Sequence, residues 1–394
     1  MNFDPKAAGF TANAYAQYRA SGPIASSPDG TTYVLSYPLV QQVCERTADF
    51  LKPGKDRGSA VPRPYSAAAS LGDGLFYMDP PRHTEVRALM NGVFASILSD
   101  AATIASARAQ NLLSGVVPGT PFDVVAVLAH ELPKQLFVDI MGTDRSDQGE
   151  LATLDRWIGA AMRAHDPSAS PSERIAGADA TFTLRTYFLS LLAEQPRNTS
   201  AGGPSIAGGM KQITACPMTS TKMSPCEAMN TAVNLGLGGY LSTEFLIATG
   251  TYNLLSSGAW QQLGADRSLL SQALQEMLRY DAPFQMADRW VADDCELGST
   301  KLEKGSNLVV VYGAANRDAG VFADPDTFDI TRPAVPNFGF GHGIHYCIGE
   351  AVALKIAEAA FTALLDRLPD AKLVEVGNWS TDPYFRTLKE LFIS

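Results

Sequence analysis

Apolar residues recur at helical spacing along most of this chain. The i, i+3, i+4 pattern that marks one buried helix face is clearest in residues 13–20, 37–47, 86–113, 151–164 and 180–194. The alternation typical of strands is confined to residues 31–36, a hairpin candidate at 297–312, and a patch from residue 372 onward. The pattern therefore predicts a mainly α protein with small β-sheets.

A long central helix is predicted from residue 224 to about residue 256. Ser224 is a good N-cap, Pro225 suits the first turn, and Glu227 completes a capping box. Each glycine inside a helix costs about 1 kcal/mol relative to alanine. Either close approach of a ligand or tight helix packing should explain that cost. The glycines concerned are Gly236, Gly238, Gly239 and Gly250.

Near the carboxyl end, one cysteine lies among three glycines in the sequence FGHGIHYCIG at residues 340–349, directly before a helix-forming stretch. There Cys347 would feel the positive end of the helix dipole and exposed N–H groups, which favour the thiolate that binds metals. Gly341, Gly343 and Gly349 would let the backbone pass close to a flat, bulky group such as a haem.

Two other interpretations of this cysteine remain open. Cys347 could be a small buried hydrophobic residue, which is the commonest role of a lone cysteine. It could also join His342 and His345 as ligands of a zinc ion.

Residues 340–349 match the F-x-x-G-x-x-x-C-x-G pattern of the cytochrome P450 family, in a form that resembles its soluble bacterial members. The resemblance implies the cytochrome P450 fold and a haem b (iron protoporphyrin IX) cofactor. It also implies that Cys347 is the axial thiolate ligand, with Phe340 and Gly349 beside the cofactor; such ligation pushes electron density onto iron. A single haem domain of this family would use residues 1–394, without room for a fused reductase.

Other segments carry residues that the family uses to hold the haem propionates. The run MDPPRHTEVR at residues 78–87 resembles the start of the family's C-helix. It places His83 and Arg87 one turn apart, and two cationic donors on one face suit a carboxylate. By the same resemblance, Arg289 and His345 supply further propionate contacts.

The pattern E-x-x-R at Glu276 and Arg279 lies on a predicted helix, residues 269–280, where a spacing of three puts both residues on one face. It resembles the family's K-helix. Thr327 occupies the place of the arginine in the family's P-x-R-F pattern. We therefore expect Arg332 to partner Glu276 and Arg279 instead.

The central helix departs from the family's A-G-x-[D/E]-T motif, in which the acid and the alcohol route protons. In the closest alignment, which starts at Gly238, Leu241 replaces the acid and Ser242 is the alcohol. Shifting by one residue makes Thr243 the alcohol, and neither register supplies a carboxylate. Ser242 and Thr243 are the candidate catalytic residues, and Gly239 is a candidate haem contact. We expect oxygen activation that is slowed, or that relies on substrate groups, ordered water or hydrogen peroxide.

Candidate substrate contacts follow from the same resemblance. Residues 284–287, the stretch near residue 385, and the loop 61–76 are mostly apolar, with Gln285 as one polar handle. This suits a small hydrophobic or aromatic substrate and a hydroxylation or O-dealkylation such as aryl ether cleavage. Each residue could equally belong to the core. The candidates are Tyr240, Leu241, Gln285, Met286 and Phe385.

Composition narrows the class of protein. With 46% hydrophobic and 18% charged residues among 394, the chain has the make-up of a globular protein with a large core. The net charge of −10 argues against a nucleic-acid partner. Residues 1–16 lack the pattern of a signal peptide, and no apolar run reaches membrane-spanning length. Five cysteines without a C-x-x-C pair suggest a reduced, cytoplasmic chain.

The role of one segment in the organisation of the chain stays open. Residues 195–223 are rich in Gly, Ser, Thr and Pro, so they could form an interdomain linker or, in a P450, part of a substrate-admitting lid.

The chain has no Gly-rich dinucleotide or flavin fingerprint, so electrons would come from a separate ferredoxin or flavodoxin with its NAD(P)H-dependent reductase. The fold could also serve coupling, dehydration or isomerisation, or a catalytically silent haem-binding partner protein.

Overall fold

The computed structural model describes residues 12–20, 22–28, 30–52, 71–143, 148–166, 168–194, 196–215 and 221–394. Helices dominate these residues, and the mainly α prediction is confirmed. In chain order the helices are α1 (Ala12–Ala20), α2 (Tyr37–Glu45), α3 (Arg82–Leu113), α4 (Glu131–Met141), α5 (Gln148–Arg163), α6 (Pro171–Ala193), α7 (Ile206–Ile213), α8 (Pro225–Gly239), α9 (Leu241–Ser257), α10 (Ala259–Ala265), α11 (Leu270–Tyr280), α12 (Tyr312–Ala315) and α13 (Glu350–Arg367).

Within the described ranges the strands are short and form three small sheets. They are β1 (Ile24–Ser26), β2 (Thr32–Val34), β3 (Phe50–Leu51), β4 (Phe122–Asp123), β5 (Met286–Val291), β6 (Cys295–Leu297), β7 (Thr300–Leu302), β8 (Asn307–Val311), β9 (Leu373–Val376) and β10 (Leu391–Ile393). The largest sheet has the order β1-β2-β8-β5-β3, in which β2 and β8 run parallel and the other neighbours antiparallel.

The hairpin predicted at residues 297–312 has a different register. The observed hairpin joins β6 to β7 and turns at Gly298, whose φ of +59° suits a glycine. Strand β8 instead pairs with β2 and β5 in the large sheet. Its residues 308–311 are all buried, which is typical of a central strand rather than the arm of an isolated hairpin.

Helix α3 runs through the core and packs against α13 and α4. Buried positions recur along its whole length, from His83 to Leu113. Among the described residues it is the one helix that is long and apolar enough to cross a membrane, a test that a core helix also passes. The expectation concerned uninterrupted apolar runs, and polar residues such as Asn91, Ser96 and Asp100 interrupt α3.

The predicted central helix is two helices. The capping box at Ser224 and Glu227 is present at the start of α8. However, α8 ends at Gly239 and α9 begins at Leu241, with Tyr240 between them at φ −111° and ψ −34°. Farther along, a Cβ on Gly250 would lie 2.6 Å from Met277 Sδ, so tight helix packing explains this glycine.

The stretch 195–223 contains an ordered helix, α7, in its described part. Ser205 caps this helix by accepting a hydrogen bond from the Gly208 N–H. Ile206 and Met210 are buried in the main core. Residues 195 and 216–220 of this stretch, like residues 61–70 of the predicted substrate loop, lie outside the described residues.

Candidate functional site

The loop that carries Cys347 is closed by its own backbone. The Cys347 N–H donates to the Phe340 carbonyl at 2.9 Å, and α13 begins at Glu350, just beyond the cysteine. Gly343 has φ +72°, and a Cβ there would overlap the carbonyl oxygen of Cys44 on α2. A glycine is therefore required where this loop approaches α2.

Cys347 is exposed to solvent, yet protein atoms surround it closely enough to desolvate its thiol. Burial raises the pKa of its thiol, while N–H groups of Gly349 and Glu350 and the Arg87 guanidinium act in the opposite direction. The expected dipole effect is thus present, but desolvation outweighs it in the protein alone. A bound cation would reverse this balance, since a coordinating thiol is deprotonated outright.

The zinc interpretation does not fit this geometry. His342 is hydrogen-bonded to Glu45, with Nε2 2.9 Å from Oε1. The His345 ring lies 4.4 Å from the His83 ring, so these two imidazoles face each other. Within the described residues, no group of three His, Cys, Asp or Glu side chains could hold a metal ion.

Basic side chains from distant segments converge beside this loop. His83 on α3 is 2% exposed, and neither of its ring nitrogens has a hydrogen-bond partner. Burial, assisted by Arg87, lowers the pKa of His83 to about 4. Arg289 on β5 is 3% exposed. Burial and the nearby cations also lower the pKa of His345.

Arg87 holds the cysteine loop in place as well as adding charge. Its Nη1 donates to the Tyr346 carbonyl at 2.6 Å, and its Nε donates to Asn91 Oδ1 at 2.9 Å. One turn earlier on the same helix lies His83, so α3 presents both residues to the loop, as the H-x-x-x-R spacing predicts.

Sequence analysis missed one member of this group. Lys52 follows β3 directly, is 2% exposed, and lies close enough to His345 to be its main electrostatic neighbour. A lone lysine after a two-residue strand carries no motif. The signal that could have found it is the pairing of β3 with β5, the strand that carries Arg289.

These residues fit a haem. The orphaned nitrogens of buried His83 need a partner, and the guanidinium groups of Arg87 and Arg289 favour an anionic one. Two propionates would supply both, and Cys347 offers an accessible sulfur on the neighbouring loop. The residues that would hold the group are Cys347, His83, Arg87, Arg289 and His345.

The E-x-x-R pair, Glu276 and Arg279, is the centre of a buried hydrogen-bonded group that we call the Glu276 hub. Glu276 accepts from Arg279 Nε and Nη2 at 2.7 and 2.8 Å, and both side chains are at most 3% exposed. Arg332 reaches Glu276 at 3.2 Å, as expected. Thr327 contributes its backbone carbonyl, which accepts from both arginines. The missing arginine of the P-x-R-F pattern is thus replaced by Arg332 from five residues downstream.

Both alcohol candidates lie in the first turn of α9, just after the break at Tyr240. The Ser242 hydroxyl donates to the Gly238 carbonyl at 2.9 Å. Thr243 is 2% exposed, and its Oγ1 has no partner. Gly238 and Gly239 are exposed, although a Cβ on Gly239 would lie 3.2 Å from the Phe137 ring. This geometry favours the register with Ser242 as the alcohol and Leu241 at the acid position.

Tyr240 is not placed to contact a substrate. It is 1% exposed and its hydroxyl donates to Asp155 on α5. Asp155 also contacts His130 Nε2 at 3.2 Å, and His130 Nδ1 lies 2.7 Å from Glu244 on α9. These hydrogen bonds to Asp155 and Glu244 raise the pKa of His130 to about 10. Tyr240 therefore anchors the helix break to α5.

Two further substrate candidates belong to the core. The Gln285 side chain is 2% exposed; its Oε1 accepts from Tyr15 and its Nε2 donates to the Ala282 carbonyl, each at 2.6 Å. This amide is therefore used structurally and is not a polar handle. Met286 is 2% exposed and packs with Tyr15 in a cluster of the sheet.

Aromatic residues line the region between α9 and the chain's end. The Phe385 ring meets Phe284 at 4.7 Å and Phe245 at 5.9 Å, both edge to face. All three rings are partly exposed, and Leu241, one turn before Phe245, is partly exposed as well. Sequence analysis named Phe385 and Leu241 but missed Phe245. Phe245 follows Leu241 by one helical turn, so the helical spacing could have indicated that both residues lie on the same face.

Known proteins resemble this chain over most of its length. The family model described as cytochrome P450 matches residues 260–369. Cytochrome P450 monooxygenase PikC of Streptomyces venezuelae is 31% identical, over 96% of this chain and 89% of that protein. A putative cytochrome P450 126 of Mycobacterium tuberculosis is 29% identical, over 100% and 96%.

Solved structures agree with this relationship. CYP164A2 of Mycobacterium smegmatis, free of ligand, is 25% identical and has a TM-score of 0.86 over 99% of this chain and 97% of that chain. CYP109E1 of Bacillus megaterium in complex with testosterone is 26% identical, with a TM-score of 0.81 over 99% of both chains. The topology described above is therefore that of bacterial cytochromes P450.

Proposed function

Since this chain belongs to the cytochrome P450 family, we propose that it is a haem-thiolate monooxygenase that hydroxylates or O-dealkylates a small hydrophobic or aromatic substrate. Its class is oxidoreductase and its cofactor is haem. The observation that carries the proposal is the convergence of the Cys347 loop with His83, whose two buried nitrogens have no partner.

Each residue of the site has a distinct task in this proposal. Cys347 ligates the iron, and Arg87 holds the loop by its bond to the Tyr346 carbonyl. His83, Arg289 and His345 bind the propionates. Haem bound in this way supplies the reductive activation of molecular oxygen. Ser242, fixed by its bond to the Gly238 carbonyl, holds water at the helix break.

The proposed substrate class follows from the rings beside α9. Phe245, Phe284 and Phe385 present apolar faces and edges, which bind flat or aliphatic molecules through burial and edge-to-face contacts. The CYP109E1 structure holds testosterone, an apolar molecule, on a similar fold. With Gln285 committed to Tyr15, the pocket selects by shape and apolar contact rather than through that amide.

Electrons in this proposal come from a separate ferredoxin or flavodoxin and its NAD(P)H-dependent reductase, and residues 1–394 form one haem domain that acts in the cytoplasm. The absence of a dinucleotide fingerprint in the sequence supports the separate donor.

The test is the carbon monoxide spectrum of the reduced protein. A strongly red-shifted Soret band is expected for the parent and should be lost in Cys347→Ser. An identical spectrum in both proteins would contradict ligation by Cys347. Incubation of the parent with candidate apolar substrates, O₂ and a ferredoxin system should then give an oxygenated product; haem without any product would favour the silent haem-binding partner.

Leucine at position 241 favours hydrogen peroxide as a second candidate oxidant. Position 241 has no carboxylate, and Asp155 and Glu244 at the helix break are hydrogen-bonded to His130. Proton delivery would then depend on the Ser242 hydroxyl, so hydrogen peroxide is a candidate productive oxidant. Leu241→Asp should raise the product formed per NAD(P)H consumed, while the peroxide-driven rate changes little. Unchanged coupling in this variant would contradict a proton-delivery defect.

A further inference from the structure

Two asparagines on α8 each leave a buried oxygen unpaired. Asn230 is 1% exposed and Asn234 is half-buried, and the Oδ1 atom of each has no hydrogen-bond partner. A spacing of four residues puts both side chains on one face of the helix. A buried acceptor without a partner is costly, so two of them one turn apart need an explanation.

The two asparagines are unfavourable for the stability of α8. Neighbouring inward positions are apolar and belong to the main core, as Ala228, Ala232 and Val233 show. Asparagine is also a poorer helix former than alanine or leucine. An apolar side chain at either position would remove the unpaired oxygen and favour the helix. Local rules are broken in this way mainly at functional sites.

A single turn of 3₁₀ helix, Leu75–Tyr77, covers this face of α8. The Leu75 N–H donates to Thr231 Oγ1 at 3.1 Å. A Cβ on Gly74 would overlap Asn234 Oδ1, so this amide lies directly against the glycine. The last side-chain torsion of asparagine is soft, so the amide can turn its oxygen from the glycine toward an incoming group.

The same turn borders the region that the aromatic rings line. Burial and, next in importance, Asp288 raise the pKa of the Tyr77 phenol, so Tyr77 lies close to β5. Asp288 accepts from the Tyr384 hydroxyl at 3.2 Å, and Phe385 is the next residue. Contacts therefore lead from the two amides through this turn to the rings of the proposed substrate pocket.

We propose that Asn230 and Asn234 form a polar subsite that binds a hydroxyl group of the substrate. Their unpaired oxygens are acceptors, so the group that they recognise is a hydrogen-bond donor. A neutral hydroxyl fits better than an ammonium group, because a buried charge needs an opposite charge. The one carboxylate of α8, Glu227, is already paired with Arg82 at 2.7 Å.

The substrate is then an apolar molecule with an alcohol or phenol group at the end that lies against α8. Asn234 precedes Gly238 at the helix break by four residues, about 6 Å along the helix axis. The hydroxyl would therefore be bound away from the break, and the apolar body would lie beside the rings. This inference rests on the proposed function, which places the haem and the rest of the substrate there.

The test uses three ligands with one skeleton: 3-phenylpropan-1-ol, 3-phenylpropylammonium and butylbenzene. They differ only in the terminal group, which is a hydroxyl, an ammonium or a methyl group. Calorimetric titration of the holoprotein gives the Kd of each ligand for the parent, for Asn230→Leu and for Asn234→Leu. Both substitutions remove the amide and nearly keep the size of the side chain. Asn111→Leu is the matched control, because Asn111 is exposed on α3.

In each subsite variant, the Kd of 3-phenylpropan-1-ol divided by that of butylbenzene should rise about three- to tenfold, the factor expected for loss of one neutral hydrogen bond. The control should leave this ratio unchanged. An unchanged ratio in both subsite variants would overturn the proposal. Tighter binding of the ammonium compound than of the alcohol by the parent would overturn the choice of a neutral hydroxyl.

Two further measurements do not depend on these affinities. Without ligand, both subsite variants should be at least as stable to urea as the parent, because each loses an unpaired buried oxygen. A loss of stability in both would assign the amides to the fold and overturn the proposal.

A crystal structure of the unmodified holoprotein with 3-phenylpropan-1-ol covers the case in which the variants fail to fold. The ligand's hydroxyl should lie within about 3.2 Å of Oδ1 of Asn230 or Asn234. A water molecule or a protein group in that place would overturn the proposal. If the parent lacks the red-shifted carbon monoxide band, the proposed function fails; if the band is present but the two amides have no effect on binding, only the subsite fails.

Discussion

Gly343 is the point at which the cysteine loop touches α2. Its φ of +72° is a left-handed conformation, and the space for a Cβ is filled by the carbonyl of Cys44. A side chain here would therefore be strained twice, by the backbone conformation and by contact with backbone atoms that cannot rotate away. The position of Cys347, four residues later, depends on this glycine.

Gly343→Ala should destabilise the protein and lower its haem content. The matched control is Gly305→Ala, because Gly305 also has positive φ, +79°, but has no atom within 4 Å of the added Cβ. The control should cost about 1–2 kcal/mol from strain alone, and Gly343→Ala should cost roughly 1–3 kcal/mol more. Urea unfolding of both holoproteins measures the difference. Equal losses would contradict the role of the Cys44 contact.

Single residues differ in how far the sequence reveals their task. Cys347, His83 and Arg87 lie in motifs whose local spacing already places them on one loop or one helix face. Gln285 cannot be assigned in this way, because its role depends on Tyr15, a position far away in the chain.

At the scale of elements, the central helix shows what local patterns leave out. Its capping box and its apolar periodicity are local, and both α8 and α9 lie where these features predict. The break at Tyr240 is set by hydrogen bonds to Asp155 on α5 and by His130, which links α5 to Glu244. Sequence periodicity carries no information on such long-range bonds, so a continuous helix was the expectation.

The stability of this junction should depend on pH. His130 has a folded-state pKa of about 10, raised by Asp155 and Glu244, above its value of about 6.5 in an unfolded chain. Its contribution is therefore complete below about pH 6.5 and is lost as the pH rises through about 10. His130→Gln should cost about 2 kcal/mol in the free energy of unfolding near pH 6, and the gap to the parent should narrow toward pH 10.

Urea unfolding of parent and variant across this range is the measurement. His342→Gln is the control, because His342 is a surface residue with one carboxylate partner, Glu45. It should change stability little at any pH. A His130→Gln deficit that stayed constant up to pH 10 would contradict the proposed charge on this imidazole.

At the scale of the whole molecule, the hydrogen-bonded group around Glu276 connects α11 to the segment that precedes the cysteine loop. Arg279 donates to the carbonyls of Asn316 and Pro325 as well as to Glu276, and Arg332 completes the group. A fold-wide arrangement of this kind follows from family resemblance and not from composition, which predicts only a helix-rich globular chain.

Glu276→Gln should destabilise the protein by about 3–5 kcal/mol, because it leaves the buried Arg279 guanidinium and the partly buried Arg332 guanidinium without their carboxylate. Glu358→Gln is the matched control: this glutamate pairs with Lys355 at 2.6 Å, but both side chains are at least one-third exposed. The control should cost less than about 1 kcal/mol. Equilibrium unfolding in urea measures both, and similar losses would contradict a structural role for the hub.

The parallel pairing of β2 with β8 also has a consequence for biosynthesis. Thr32 lies opposite Leu308. The β1–β2 hairpin therefore has an unpaired edge until most of the polypeptide has been translated. Contacts of such long sequence separation form late and slowly. A nascent chain stalled before β8 would expose that edge to other chains, and haem capture would have to wait until Cys347 leaves the ribosome.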